Sequence, residues 1–336
     1  TVPDGTRSGV YAVRLEAGGE SGGGGDGGDG GDLDVVPFFV RPPQGTATAE
    51  VAVLFPPFSY LAYANERLQE APRDMEPGDE RALPILPDRG DHILQRRHDL
   101  GLSVYDTHAD GSGCCYSTAR RPILNMRPDH RNWQTHAPRA LAADLYLVDW
   151  LDELAVPFDA LDDGLLHDEG LALLERYRVV ITGAHPEYWS EQMLDALEGY
   201  LEGGGRLMYL GGNGFYWVTS VDPERPHLIE VRRGHNGTRP WEPPPGELRH
   251  ATTGEKGGLW RYRGRGPNRV AGVGFSAQGY SPKAAPYHRL DDATESSPPT
   301  WRLRAVRAPY CEGLCRTEGT GARRWPTGRA ASARIQ

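Results

Sequence analysis

Residues 179–217 read VVITGAHPEYWSEQMLDALEGYLEGGGRLMYLGGNGFYW, and this stretch decides the fold class. Val179, Val180 and Ile181 make an apolar run of strand length. Residues 190–202 carry the spacing of an amphipathic helix opening on Ser190, and residues 207–210 (LMYL) make a second apolar run. Strand, helix and strand in so short a span predict two neighbouring parallel strands joined by a crossover helix. Polar residues follow each run: His185 and Glu187 after the first, Asn213 after the second. Open α/β sheets bind ligands at the carboxyl ends of their strands, so these side chains are expected beside one crevice.

The pattern extends outward on both sides. Residues 50–55 (EVAVLF) predict a third strand, stopped by Pro56 and Pro57 and followed by FSYLAYANERL. Residues 138–154 place Leu141, Leu145, Val148 and Leu151 at helical spacing with Pro138 in a first turn. Residues 158–161 read as a short strand and 169–176 as a helix. The expected fold is therefore α/β, a largely parallel sheet flanked by helices. Residues 9–16 and 35–41 alternate like the strands of a hairpin, and the Gly/Asp run at 18–32 between them reads as a mobile acidic loop. Residues 69–100 read as a long surface loop, and 101–105 (GLSVY) recover apolar character. Beyond Gly214, FYWVTS, HLIEVRR, GLWRYRGRGP and NRVAGVGF suggest additional β-rich segments. The expected division is an N-terminal β segment at 1–50, an α/β domain at 51–297 and a disordered or aberrant arginine-rich tail at 298–336.

With 336 residues, 38% of them hydrophobic, the chain can bury a sizeable core. A net charge of −9 argues against non-specific nucleic-acid binding, which needs a basic face. The sequence has neither a membrane-length apolar run nor the pattern of a secretory signal at its start, so the expected location is the cytoplasm, away from membranes. Cys114 and Cys115 are adjacent, and Cys311 and Cys315 lie in the tail; reduced thiols are expected.

Several side chains have chemistry to offer. Glu187, in HPEYW, can ligate a metal or act as a base, or it can be a helix N-terminal carboxylate near Ser190. His185 shares its face if the segment is extended, or is a structural histidine. Asn213 in LGGNG offers a donor and an acceptor beside glycines that admit a close approach, and a simple turn explains the run equally well. Tyr63 and Tyr105 follow candidate strands and read as packing residues unless a trivalent cation favours their phenolates. Cys114 or Cys115 with His130 or His136 would make a thiol nucleophile, but GSGCCYST lacks the strand-to-helix elbow such a nucleophile needs. Asp106, His108 and Asp129 have no zinc-motif spacing among these histidines.

Taken in order, SGVYAVRL, VPFFVRP, YLAYAN, GLSVYD, PRALAADLYLVDWL, VVITGAHPEYW, LGGNGFYW, RRGHNGTRPW with PPGE, and TGEKGGLWR with GVGFSAQGY resemble the large-subunit family of N,N-dimethylformamidase across residues 8–280. The resemblance implies a glutamine-amidotransferase-like catalytic domain and a mononuclear, ferric iron site. Carried over by motif, its ligands are Tyr63 of AYAN, Tyr105 of SVYD and Glu187 of HPEYW, with Tyr60 a competing first ligand. His185 and Asn213 match substrate-facing or catalytic positions. The implied reaction is hydrolysis of the C–N bond of a small amide, dimethylformamide giving formate and dimethylamine. The implied partners are a small subunit and further copies in an oligomer. The alternative is a truncated, non-catalytic member serving binding or assembly.

Overall fold

The computed structural model describes residues 2–16, 33–67, 87–133, 137–237 and 240–274. The 18–32 loop, the 298–336 tail, His136, Cys311 and Cys315 lie outside the described residues. The chain opens with an antiparallel hairpin of β1 (Gly9–Glu16) and β2 (Leu33–Val40). There follow β3 (Val51–Phe55), α1 (Pro57–Ala62), α2 (Arg89–Leu94), β4 (Tyr116–Thr118) and α3 (Leu141–Glu153). Next come β5 (Phe158–Asp162), α4 (Asp163–Glu169), α5 (Leu171–Leu174), β6 (Val179–Thr182), β7 (Tyr188–Trp189), α6 (Glu191–Glu202) and β8 (Arg206–Met208). Short strands β9 (Trp217–Val218), β10 (Ser220–Val221) and β11 (Leu228–Glu230) and the one-turn α7 (Asn268–Ala271) complete the described order.

The central sheet is parallel, in the order β5-β3-β6-β8. Strand β3 shows why this sheet needs cover on both faces: Ala52 and Leu54 join one apolar cluster, Val53 and Phe55 another, and all four are buried. That is the pattern of a central parallel strand. On one face Leu151 of α3 and Val10 and Phe39 of the hairpin close the layer, with the Phe39 and Phe55 rings stacked at 4.6 Å. On the other face lie Leu166 of α4, Leu174 of α5 and Leu197 of α6. Two small antiparallel ladders join β10 to β11 and β11 to β4, and β7 pairs in parallel with β9.

Helix α6 starts where its sequence says it should: Ser190 Oγ accepts the Met193 N–H at 3.3 Å, and Met193, Leu194, Leu197 and Tyr200 turn inward. Its end is equally constrained, since a Cβ on Gly205 would fall 2.3 Å from the Tyr200 ring. Several expectations are corrected. Helix α3 begins after Ala140, which has φ of 55°, so Pro138 precedes the helix rather than entering it. The helix expected at 169–176 is two, broken at Gly170 with φ of 59°. The supposed loop at 69–100 contains α2, whose Asp88 and Asp91 cap each other's backbone N–H groups, and a 3-10 turn at His98–Leu100. Strand β8 ends at Met208. Strands expected near the C-terminal side are a 3-10 turn at Trp260–Arg263 and helix α7, because the buried Trp260 indole anchors the chain by donating to the Trp189 carbonyl at 2.9 Å. Among the described residues, no helix is long and apolar enough to cross a membrane.

Candidate functional site

Three separate segments bring Tyr63, Tyr105 and Glu187 together. Tyr63 closes α1, its N–H bonded to the Ser59 carbonyl at 3.2 Å. Asn65 holds the next turn: buried, with φ of 60°, it donates to the Leu100 and Pro122 carbonyls and accepts the Leu124 N–H. Asparagine tolerates that left-handed backbone, and its amide can satisfy all three bonds. Tyr105 sits in a turn rather than at a strand end. Asp106 accepts the Ser103 N–H at 2.8 Å, Ser103 Oγ accepts the Tyr105 N–H at 3.1 Å, and the Val104 N–H ties the turn to the Ala62 carbonyl at 3.0 Å. Glu187 lies beyond β6, its N–H donating to Ser59 Oγ at 3.1 Å and its carbonyl accepting the N–H groups of Tyr216 and Trp217. Tyr63 and Tyr105, expected just after strands, thus sit instead at a helix end and in a turn, and Glu187 lies in the loop after β6.

The side chains form a directed chain. Tyr63 donates to Glu187 Oε2 at 2.9 Å, and its oxygen lies 2.7 Å from that of Tyr105, which accepts from Tyr188 at 2.7 Å. A phenol has one proton, so the order must be Tyr188 to Tyr105 to Tyr63 to Glu187. Asn213 also hydrogen-bonds Glu187. Burial, the largest cause, pushes the Glu187 carboxyl up to about 7 against the pull of Arg139, Tyr63 and Asn213. Burial first and Glu187 second hold both Tyr63 and Tyr105 above the usual phenol range. Burial and Arg139 push His185 down to about 4, so its imidazole is neutral at pH 7.

The glycines of LGGNG serve this arrangement by letting loop meet loop. The Gly212 N–H donates to the Ala184 carbonyl at 2.7 Å, while a Cβ on Gly212 would fall 2.7 Å from His185 Nε2. The other imidazole nitrogen, His185 Nδ1, is buried without a hydrogen-bond partner. Tyr60 faces elsewhere: its hydroxyl donates to Asp144, which separates it from the cluster. Cys114 lies 3.6 Å from His108 Nε2, and His130 pairs with Asp88, so the supposed cysteine–His130 couple is not assembled. Three further residues join the cluster that the sequence did not mark: Tyr188, Arg139 and Arg233, the guanidinium carbons of the last two standing 4.2 Å from the Tyr63 ring centroid and 4.0 Å from that of Tyr105. The RRG run was visible, but no spacing rule connects it with the tyrosines.

The donor types, two phenols and a carboxylate, are hard oxygen ligands of the kind a hard cation takes, and the Tyr63 oxygen lies 2.7 Å from that of Tyr105 and 2.9 Å from Glu187 Oε2. Among the described residues no three His, Cys, Asp or Glu side chains gather as an alternative. A family model described as N,N-dimethylformamidase beta subunit-like, C-terminal, matches residues 1–318. Two curated relatives, each called N,N-dimethylformamidase beta subunit, come from Paracoccus aminophilus and an Alcaligenes species. Each is 41% identical over 285 residues, covering 83% of this chain and 35% of the relative, so the chain spans about a third of their length. The chain belongs to the N,N-dimethylformamidase beta subunit-like, C-terminal family.

Proposed function

We propose that the chain hydrolyses the C–N bond of a small amide, of the N,N-dimethylformamide kind, at a mononuclear ferric site held by Tyr63, Tyr105 and Glu187. The observation that carries this reading is the meeting of three oxygen donors from sequence-remote motifs at hydrogen-bond distances. When bound there, ferric iron supplies a Lewis acid that polarises an amide carbonyl and acidifies water. His185 is the base: its neutral imidazole accepts a proton at Nδ1 from the attacking water, and the new C–O bond forms. It then returns that proton to the departing nitrogen as the C–N bond breaks, leaving formate and dimethylamine from dimethylformamide. Asn213 holds Glu187 in place and is the polar group available to steady the carbonyl oxygen as it gains charge. Residues 51–297 would be the catalytic domain, with a glutamine-amidotransferase-like arrangement, working in the cytoplasm in an oligomer with a small subunit.

The test is iron content together with amide hydrolysis. Purified chain supplied with iron(III) is expected to hold about one ion and show a tyrosinate-to-iron absorption band, lost in Tyr63→Phe and in Tyr105→Phe. Dimethylamine release from dimethylformamide should fall with the band. Chain that takes up no iron refutes the reading. The second reading, a non-catalytic assembly module, draws on the relatives being themselves named as a subunit. Iron-loaded protein that releases no amine from a panel of formamides and acetamides would select it.

A further inference from the structure

Two arginines close the outer faces of the candidate donor pair. The Tyr63 and Tyr105 rings stack with centroids 4.4 Å apart and planes 12° apart, so each gives one face to the other. Arg139 lies 4.2 Å from the Tyr63 centroid and Arg233 lies 4.0 Å from that of Tyr105. Those distances leave only the outer faces for the guanidinium groups. The order is guanidinium, phenol, phenol, guanidinium. Arg233 is 2% exposed and its Nε donates to the carbonyl of Val104, the residue before Tyr105, at 3.2 Å. Arg139 enters from the segment just ahead of α3, 30% exposed.

We propose that Arg139 and Arg233 set the electron-donor strength of the Tyr63–Tyr105 pair, each holding one positive charge against the outer face of a ring. The inference rests on the ferric reading above and deepens it. A cation over an aromatic face attracts the ring's electrons, and more strongly when the ring oxygen is anionic. Electrons held this way are donated less readily, which leaves a bound ion a stronger Lewis acid toward a carbonyl. Moving an electron from ring to iron carries it away from the arginine and therefore takes more energy. The tyrosinate-to-iron band of the wild-type chain should then lie at shorter wavelength than the same ligands would give without the arginines.

The experiment uses the full chain loaded with iron(III), comparing wild type with Arg139→Gln, Arg233→Gln, Arg139→Lys and Arg233→Lys. Each glutamine variant is expected to shift the band to longer wavelength by on the order of 10 nm, from a unit charge at about 4 Å in an effective dielectric of about 20. Each lysine variant, which keeps the charge, should hold the band close to its wild-type position. A band at the wild-type position in the glutamine variants overturns the proposal while leaving the iron site standing. Equal shifts in the lysine and glutamine variants overturn it in favour of packing alone. A wild-type chain without the band overturns the ferric reading itself, and this inference with it. Should buried Arg233→Gln fail to fold, the less buried Arg139 pair decides.

Discussion

Replacing Asp144 by asparagine should change stability with a sign that depends on pH. Asp144 is 1% exposed in the first turn of α3; Oδ1 accepts the Ala184 N–H and Oδ2 the Tyr60 hydroxyl. Burial outweighs those bonds and pushes its carboxyl from 3.8 up to about 6. A rise of roughly two units at about 1.4 kcal/mol each means that carrying the charge costs about 3 kcal/mol at pH 8. The folded chain binds this proton more tightly than the unfolded one, so the penalty is absent at low pH, grows between about 4 and 6, and is complete above. Asparagine has nearly the same shape and no charge. Its Oδ1 keeps the Ala184 bond, while the Tyr60 hydroxyl proton loses its acceptor, a loss of about 1 kcal/mol. Asp144→Asn is therefore expected to be about 2 kcal/mol more stable than wild type at pH 8, and equal or slightly less stable at pH 4. Urea unfolding at the two pH values, with slopes compared, measures this. Asp144→Ala is the control: two donors lose their acceptor, costing about 2–4 kcal/mol at pH 4, and relief of the charge penalty offsets most of that cost at pH 8. If Asp144→Asn is less stable than wild type at pH 8, the buried carboxylate is a net stabiliser and the burial argument fails.

Other perturbations probe the same framework. Tyr60→Phe should keep the ferric absorption band that Tyr63→Phe abolishes, because the Tyr60 hydroxyl is committed to Asp144; a band lost in Tyr60→Phe would reinstate Tyr60 as a ligand. Gly211→Ala should cost roughly 2 kcal/mol in urea unfolding, since its Cβ would meet the Ala184 carbonyl oxygen at 2.5 Å and backbone cannot swing aside. A neutral result would mean that the 209–213 segment adjusts freely. Asn65→Ala loses three buried hydrogen bonds and leaves alanine at φ of 60°, for a combined loss of about 4 kcal/mol. A loss below about 1 kcal/mol would show that other contacts hold the Tyr63 turn.

The parts of the fold legible in sequence are those with long apolar runs. Strands β3 and β6 and helix α6 announce themselves because Val51 to Phe55, Val179 to Ile181 and the Ser190 cap satisfy simple periodic rules. The break at Gly170 was harder to see: LLHDEGLALL keeps an apolar rhythm across a glycine whose φ of 59° redirects the chain. The C-terminal side misled for another reason. Trp260 and its neighbours alternate like a strand, but Gly258 and Gly264, both at positive φ, bend the chain into a 3-10 turn around the buried indole. At the site, residue types pointed to Glu187 and Asn213, whereas the tyrosines stood out only through family motifs. Arg139, Arg233 and Tyr188 act across chain separations that no local pattern records.

The structure also explains how loops can position donors as firmly as strands would. Each of the three segments is held by a buried polar side chain spent on backbone groups: Asn65 after Tyr63, Asp106 after Tyr105, and Asp144 beneath the turn that leads to Glu187. These bonds do not involve the phenol oxygens or the Glu187 carboxylate, so they fix the donors without consuming them. The donors in turn satisfy one another, Tyr188 to Tyr105 to Tyr63 to Glu187, which spares four polar groups the cost of isolated burial. On the ferric reading proposed above, a cation entering the cluster would displace protons rather than order loose chain, so its binding free energy would not go into fixing the loops. Among the described residues, His185 Nδ1 is an exception that the internal bonding leaves over, buried without a hydrogen-bond partner. On the reading proposed above, that nitrogen is where the attacking water would leave its proton.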